Sequence, residues 1–512
     1  MLGLGLDELV QREATRRHRQ LAYVAAASLG GMAVTSTLAV TAIQARDSAR
    51  EQRRQAEGLV EFMLGDLRTK LEPIGRLDAL DGVGSRVLAY YSKQDTSDLP
   101  DAALLQRSQA LNLMAEVAFN RGNMAEAEGL YRQAMAGTAE AVRRSPNDPE
   151  RIYQHAQNVF YVGDVARFAG RPSRAEAAYR EYKRLADRMI ALQPDSLKYR
   201  MEVLYSNENL GISLYDQHRF VEAARQFQGA AAPIQSLAAL YPNNTSYQKE
   251  VATVLAWTAD TARSQGDFRG AIAARQRQVS TLERLVASAA DSDARARLII
   301  AHEALGLVLA DAGQADRGIQ ELQSAVAEAE DLIPVEPRNA QWKSMAGDAR
   351  LALATTLLSL NRAEEAAQQT QAGCALAAEL PAAYATSKAH LNGVCASIRA
   401  RLALKDGATQ EALSLAQQAL ASTRAEHGED PIADRYRIAV RYRLIGDIQK
   451  RGGNLAAAEA SWSAGLAGLP TNVAERPIEM NERVQLLQRL GRTNEAAPLA
   501  ARLKAIGYRG AA

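Results

Sequence analysis

Apolar and small positions along this chain repeat with a long period. A pair shaped like Leu-Gly recurs eight times, its second member being Ala115, Gly163, Gly211, Ala259, Gly306, Ala354, Ala400 and Gly446, so that successive steps are 46 to 48 residues. Twelve residues after each stands a small residue: Ala127, Ala175, Ala223, Ala271, Gly318, Ala366, Ala412 and Ala458. Four further on, one helical turn, come Tyr131, Tyr179, Phe227, Leu322 and Trp462 in five units and Arg275, Thr370 and Ala416 in the others. This pattern predicts a repeated helical hairpin. Helix A carries the Leu-Gly pair, helix B carries the small and then the bulky residue, and the small residues let the two backbones approach while the bulky side chain fills the space one turn away.

Two kinds of punctuation frame the helices. Gly122, Gly170, Gly266, Gly313, Gly452-Gly453 and Gly491 fall where helix A should end, and glycine there takes the left-handed conformation of a C-cap. Between units stand Pro146-Asn147-Asp148-Pro149, Pro194-Asp195-Ser196, Pro242-Asn243-Asn244 and Pro337-Arg338-Asn339. Proline cannot continue the preceding helix, and the Asp, Ser or Asn after it is suited to cap the next one.

The pattern resembles the tetratricopeptide (TPR) repeat family, on Leu210-Gly211, Ala223, Phe227 and Ala230 in one unit and Met114-Ala115, Ala127, Tyr131 and Ala134 in another. The family's unit is about 34 residues. The surplus of about fourteen residues lengthens each helix by about 10 Å. The expected fold is therefore all-α: a TPR-like α-solenoid of long helical hairpins over residues 103–507, its last hairpin (Pro477 to Ile506) shortened as a cap, preceded by a single transmembrane helix.

That helix is predicted over residues 21–43, twenty-three residues without a charge, about 34 Å long and enough to cross a bilayer. A secretory signal's apolar region is shorter, about 7–15 residues. Residues 1–20 form a short segment on one side and residues 44–102 a juxtamembrane helical linker on the other. Four arginines flank each side, and the tighter cluster Arg16-Arg17-His18-Arg19 places the N-terminal segment in the cytoplasm. The expected location is thus a bacterial inner membrane, single-pass, with the repeats periplasmic. Ala26 and Gly30, and Ala27 and Gly31, are spaced for helix contact within the membrane, which raises a homodimer. The linker, from Ala56-Glu57-Gly58-Leu59-Val60-Glu61-Phe62-Met63-Leu64 through Leu71-Glu72-Pro73, resembles that of bacterial one-pass signalling proteins in which a TIR or Ser/Thr kinase domain precedes the span. Only Met1 to Gln20 precede it here, so the effector is expected to be absent from this chain, encoded separately, or lost through a misplaced start.

Charge and chemistry narrow the function mainly by subtraction. The 512 residues carry 61 basic and 59 acidic side chains, a net +2, which gives no polyelectrolyte signature for nucleic acid. His18, His155, His218, His302, His390 and His427 show no metal-ligand spacing, and there is no phosphate-cradling glycine loop. No enzymatic role, cofactor or metal is expected. Cys374 and Cys395 lie about 7 and 14 residues from a turn near Pro381, a mismatch that leaves their contact open; two buried thiols are the favoured reading, and a disulfide would favour an oxidising periplasm.

By resemblance to TPR proteins, the faces of the A helices line a groove for a protein or peptide partner. Placing the Leu-Gly glycine at the family's eighth position puts Gln157, Asp164 and Arg167 there in the second unit, Tyr205, Glu208 and Tyr215 in the third, and Asp260 and Arg263 in the fourth. The repeated Asp164/Arg167 and Asp260/Arg263 spacing reads either as a mixed-charge groove or as helix-surface ion pairs. The function expected is a membrane-anchored interaction module, the sensor or scaffold half of a signalling system; the alternative is a structural subunit of an envelope assembly.

Overall fold

The computed structural model describes residues 6–64, 82, 89, 99–288, 291–426 and 430–510. They divide into two compact units, residues 1–145 and 146–512. The described residues hold no β-strand. The linker reading beyond Leu64, including the break at Glu72-Pro73, falls almost wholly outside them.

The first unit contains α1 (Leu6–Leu64), α2 (Asp101–Asn120) and α3 (Met124–Arg144). Within α1 the stretch Thr15–Ser48 is apolar and long enough to cross a membrane by length and composition, and no part of its apolar window is buried against the protein. Leu21, Tyr23, Leu29 and Met32 are each more than 60% exposed. The helices α2 and α3 form the first hairpin, with Ala115 and Ala127 fully buried where they meet and the Ser108 hydroxyl donating to the Ala134 carbonyl at 3.0 Å.

The second unit continues with hairpins at the predicted period. They are α4 (Pro149–Phe168) with α5 (Pro172–Leu192), α6 (Leu197–Asp216) with α7 (Phe220–Leu240), and α8 (Thr245–Gln265) with α9 (Phe268–Ser288). Then follow α10 (Ser292–Asp311) with α11 (Ala315–Leu332), α12 (Ala340–Ser359) with α13 (Ala363–Glu379), and α14 (Ala385–Lys405) with α15 (Thr409–Ala425). The last are α16 (Pro431–Arg451) with α17 (Leu455–Gly468) and α18 (Pro477–Arg489) with α19 (Thr493–Ala505). The A helices α4 to α16 have 20 or 21 residues, about 30 Å, whereas α18 and α19 have 13 each.

Local chemistry accounts for the boundaries. Asp148, Ser196, Asn244 and Asn339 each accept a backbone N–H of the first turn with their side chains, and Asp291 and Asp430 do the same in units that lack the preceding proline. At the A-to-B turns the left-handed residue recurs as Gly122, Gly170, Gly266, Gly313, Gly407, Gly453 and Gly491. In the two units without a turn glycine, His218 (φ 58°) and Asn361 (φ 62°) occupy that place. Both types tolerate the conformation better than branched residues do.

The Leu-Gly glycine owes its identity to the bulky residue sixteen positions later. A Cβ built on Gly211 would stand 2.7 Å from the Phe227 ring, and one on Gly163 2.9 Å from the Tyr179 ring. Alanine is found instead at Ala259, Ala354 and Ala400, where the facing residues are Arg275, Thr370 and Ala416, and also at Ala115, which tolerates Tyr131. Gly211→Ala is therefore expected to lower stability by about 1–3 kcal/mol through overpacking, and adding Phe227→Leu to recover part of it, both read by denaturant unfolding.

Cys374 and Cys395 form a disulfide, with Cα atoms 5.9 Å apart, so the expectation of separate thiols is corrected. The turn does not centre on Pro381. A short 3₁₀ segment, Ala382–Tyr384, follows it and α14 begins only at Ala385, so the connection centres on Ala382, about 8 residues from Cys374 and 13 from Cys395, and the two cysteines meet although the arms stay unequal. The bond closes a 21-residue separation. Reduction is expected to cost about 3 kcal/mol of stability, visible as a lower unfolding midpoint with reductant than without.

Candidate functional site

The A-helix positions proposed to line a groove are largely engaged by other helices of the second unit. Asp164 accepts the Tyr179 hydroxyl at 3.1 Å, Asp260 is paired with Arg275, and Asp447 accepts the Trp462 indole N–H at 3.1 Å. All three links span 15 residues. Each joins the position after the Leu-Gly glycine to the bulky position of helix B. In two other units both positions are apolar, as with Ile212 and Phe227 or Leu307 and Leu322.

A second set of links runs between successive A helices. The Arg167 guanidinium donates to Asp216 at 2.8 Å, the Tyr215 and Ser264 hydroxyls are 2.9 Å apart, and Arg263 donates to Asp311 at 2.7 Å. These spans are 49, 49 and 48 residues, one repeat each. In both Asp164/Arg167 and Asp260/Arg263 the acid is held by its own helix B and the base by the next helix A.

Gln157 likewise donates to Glu202 at 2.8 Å, and the Tyr182 hydroxyl donates to the same carboxylate oxygen at 2.6 Å. Burial pushes the Glu202 carboxyl upward against those two donors.

Tyr205 and Glu208 stand apart. They lie on α6 about three and two turns before Tyr215 on the same face. Glu208 is 7% exposed, and its Oε1 has no hydrogen-bond partner. Burial, then the charge of Glu250 on α8, push its carboxyl up to about 8. Tyr205 is half-buried, and its hydroxyl is pushed up to about 12 by burial and by Glu250, Glu208 and Glu202. Glu303 holds on α10 the repeat position that Glu208 holds on α6. It is pushed up to about 8 by burial and Asp348, against the opposing pull of Arg275. Asp348 on α12 rises to about 6 through burial, with His390 opposing and Glu426 adding to the rise.

The other end of this face is filled by the chain itself. Met480, Val484, Leu487, Leu503 and Tyr508 from the last hairpin and the residues after it share one core cluster with Ala252, Phe268, Ala301 and Leu305 of α8 to α10. The Tyr508 ring lies 6.0 Å from that of Phe268, and the Arg509 amide donates to the Asp311 carbonyl at 2.7 Å. Nδ1 of His218 sits 2.7 Å from the Ala474 carbonyl oxygen. Its ring is also 3.6 Å from both Asp430 and Glu479, which, with that carbonyl, raise the imidazole despite burial. A cavity of about 410 Å³ remains beside it, lined by His218, Phe220, Ser264, Met480, Arg502 and Ile506. The short last hairpin therefore covers the turn edge of three earlier repeats as well as its own neighbour.

Among the described residues no group of His, Cys, Asp and Glu is arranged to hold a metal ion.

No protein-family model matches the chain, and no curated protein does. Among solved structures it is similar to the apo form of RapI, at 12% identity over 80% of this chain and 97% of that one, with a TM-score of 0.53. It is also similar to a Rap protein complexed with competence and sporulation factor (13% identity, 78% and 98% covered, TM-score 0.43) and to BtubC from P. vanneervenii (16%, 48% and 89%, TM-score 0.35). The chain folds as a TPR-like helical-repeat solenoid. At these identities the RapI likeness carries the fold and nothing further.

Proposed function

We propose that this protein is a membrane-anchored interaction module, without enzymatic activity, whose A-helix groove holds a protein or peptide, as the sensor or scaffold half of a bacterial signalling system. One observation carries the binding reading. The ninth and twelfth repeat positions are satisfied internally, but the buried Glu208 at the fifth position of α6, on the same helix as half-buried Tyr205 at the second, is not. A buried polar atom without a partner costs free energy that a bound ligand can return.

Two features support the location. The exposed apolar stretch of α1 matches a bilayer in length, and the Cys374–Cys395 bond belongs to an oxidising compartment, in keeping with repeats on the periplasmic side of an inner membrane.

The test places a photo-crosslinking residue at Tyr205 in cells, with a second at exposed Arg225 on α7 as reference. A discrete adduct at Tyr205 alone, of a species that otherwise dissociates during purification, is expected. The same adduct at both sites, or a species that never dissociates, would indicate a fixed assembly subunit. Labelling of a Gln410→Cys variant by an impermeant thiol reagent, with the outer membrane permeabilised, checks the orientation; labelling only after lysis would reverse it.

A further inference from the structure

Resting on the groove reading, the chemistry of the open face specifies its occupant. Glu208 on α6, Glu250 on α8 and Glu303 on α10 are carboxylates on three successive A helices, continued by Asp348 on α12. Among the described residues, none of the first three receives a hydrogen bond or an ion pair. The nearest cations are spoken for: Arg275 is held by Asp260 and Gln278, and Arg297 by Asp293 and Thr253. Asp348 has a basic partner within ion-pair distance, His390 at 3.6 Å, and that ring is shared with Glu426 at 3.1 Å. Elsewhere on the A helices, at Asp216, Asp311 and Glu482, an acidic side chain is answered by an arginine of a neighbouring repeat. The seam is thus an interruption in an otherwise completed pattern. At its α6 end lies Glu208, more than nine-tenths buried, with an oxygen that nothing in the protein satisfies.

We propose that this seam receives an extended cationic peptide segment, its guanidinium or ammonium groups seated against Glu208, Glu250 and Glu303 beside the Tyr205 ring. A guanidinium brings several donors in a plane that matches a carboxylate and stacks on an aromatic face, so arginine fits better than lysine. Neighbouring packed helices are about 10 Å apart, and an extended chain advances about 3.3 Å per residue, so the cations should recur at about every third residue.

The probe is a fluorescent twelve-residue peptide with arginine at every third position separated by Ser-Gly, set against versions with glutamine or glutamate in place of arginine. The arginine peptide should bind at least ten-fold tighter than the glutamine version to the full-length protein. Glu208→Gln with Glu303→Gln should abolish that preference, while Glu364→Gln, on the exposed surface of α13, leaves it intact. Thermal unfolding of the double variant, expected to be no less stable than the parent, separates lost binding from lost fold. Equal binding of the arginine and glutamine peptides overturns the cationic occupant while leaving a peptide groove standing. An equal loss in Glu364→Gln also overturns it, by showing diffuse surface attraction. Failure of all three peptides to bind overturns the cationic seam, and the Tyr205 crosslink then decides independently whether the groove binds anything.

Discussion

A chain ending at Pro470 is expected to lose hydrogen-exchange protection in α8 to α10, about 160 to 225 residues before the cut, along with at least about 5 kcal/mol of stability. In a solenoid whose repeats touch only their neighbours, trimming the last hairpin should disturb the preceding repeat and little else. Here the deletion also strips Met480, Val484, Leu487, Leu503 and Tyr508 from a core they share with Phe268, Leu305 and Leu309. Each large apolar side chain contributes about 1.5–3 kcal/mol on burial, and the early repeats would face water where they now face protein. The single change Leu503→Ala tests the same closure at smaller scale and should cost about 2–5 kcal/mol. Exchange confined to α16 and α17 in the truncated chain would show that the closure contributes nothing to the stability of α8 to α10.

The second large effect concerns the groove carboxylates. Glu208 and Glu303 keep their protons to about pH 8 in the folded protein, whereas an exposed glutamate releases its proton near 4.5. The unfolded chain therefore binds fewer protons than the folded one between those limits. Stability should be fullest below about pH 4.5 with respect to these two groups, fall as pH rises toward about 8, and change no further on their account. Burial sets most of the shift, with Glu250 adding to it at Glu208, and Asp348 adding to it and Arg275 opposing it at Glu303. Glu208→Gln with Glu303→Gln should flatten that slope and raise stability at pH 8 by on the order of a few kcal/mol. Urea unfolding at pH 5 and pH 8 for parent and variant measures it. A variant that is less stable at pH 8 would mean that the carboxylates are held by partners and not left open.

What could be read from the chain follows from how local each determinant is. The hairpin period was legible because Gly211 and Phe227, or Gly163 and Tyr179, must match in size within one unit, and that match leaves a trace at fixed spacing. Caps at Asp148, Ser196, Asn244 and Asn339 were legible for the same reason. His218 and Asn361 escaped notice as turn residues because neither looks like glycine, although both sit one period from the glycines around them. The polar positions of the A helices were legible as a set, but most of their partners were not. A search at an offset of 15 would have paired Asp164 with Tyr179, Asp260 with Arg275 and Asp447 with Trp462. One at 48 or 49 would have paired Arg167 with Asp216 and Arg263 with Asp311. The return of the last hairpin onto α8 to α10 leaves no such trace. It depends on curvature accumulated over several repeats, which no spacing of residue types encodes.

That return also orders events during synthesis. His218 and Ala474 are separated by 256 residues, so at roughly 5–20 residues per second the ribosome needs roughly 13–50 s to supply the partner of an early turn. For that interval Phe268, Leu305 and their neighbours have left the exit tunnel without their final cover. The nascent chain must travel with this apolar edge open, which makes the middle repeats, and not the termini, the stretch where a holding chaperone would find its grip.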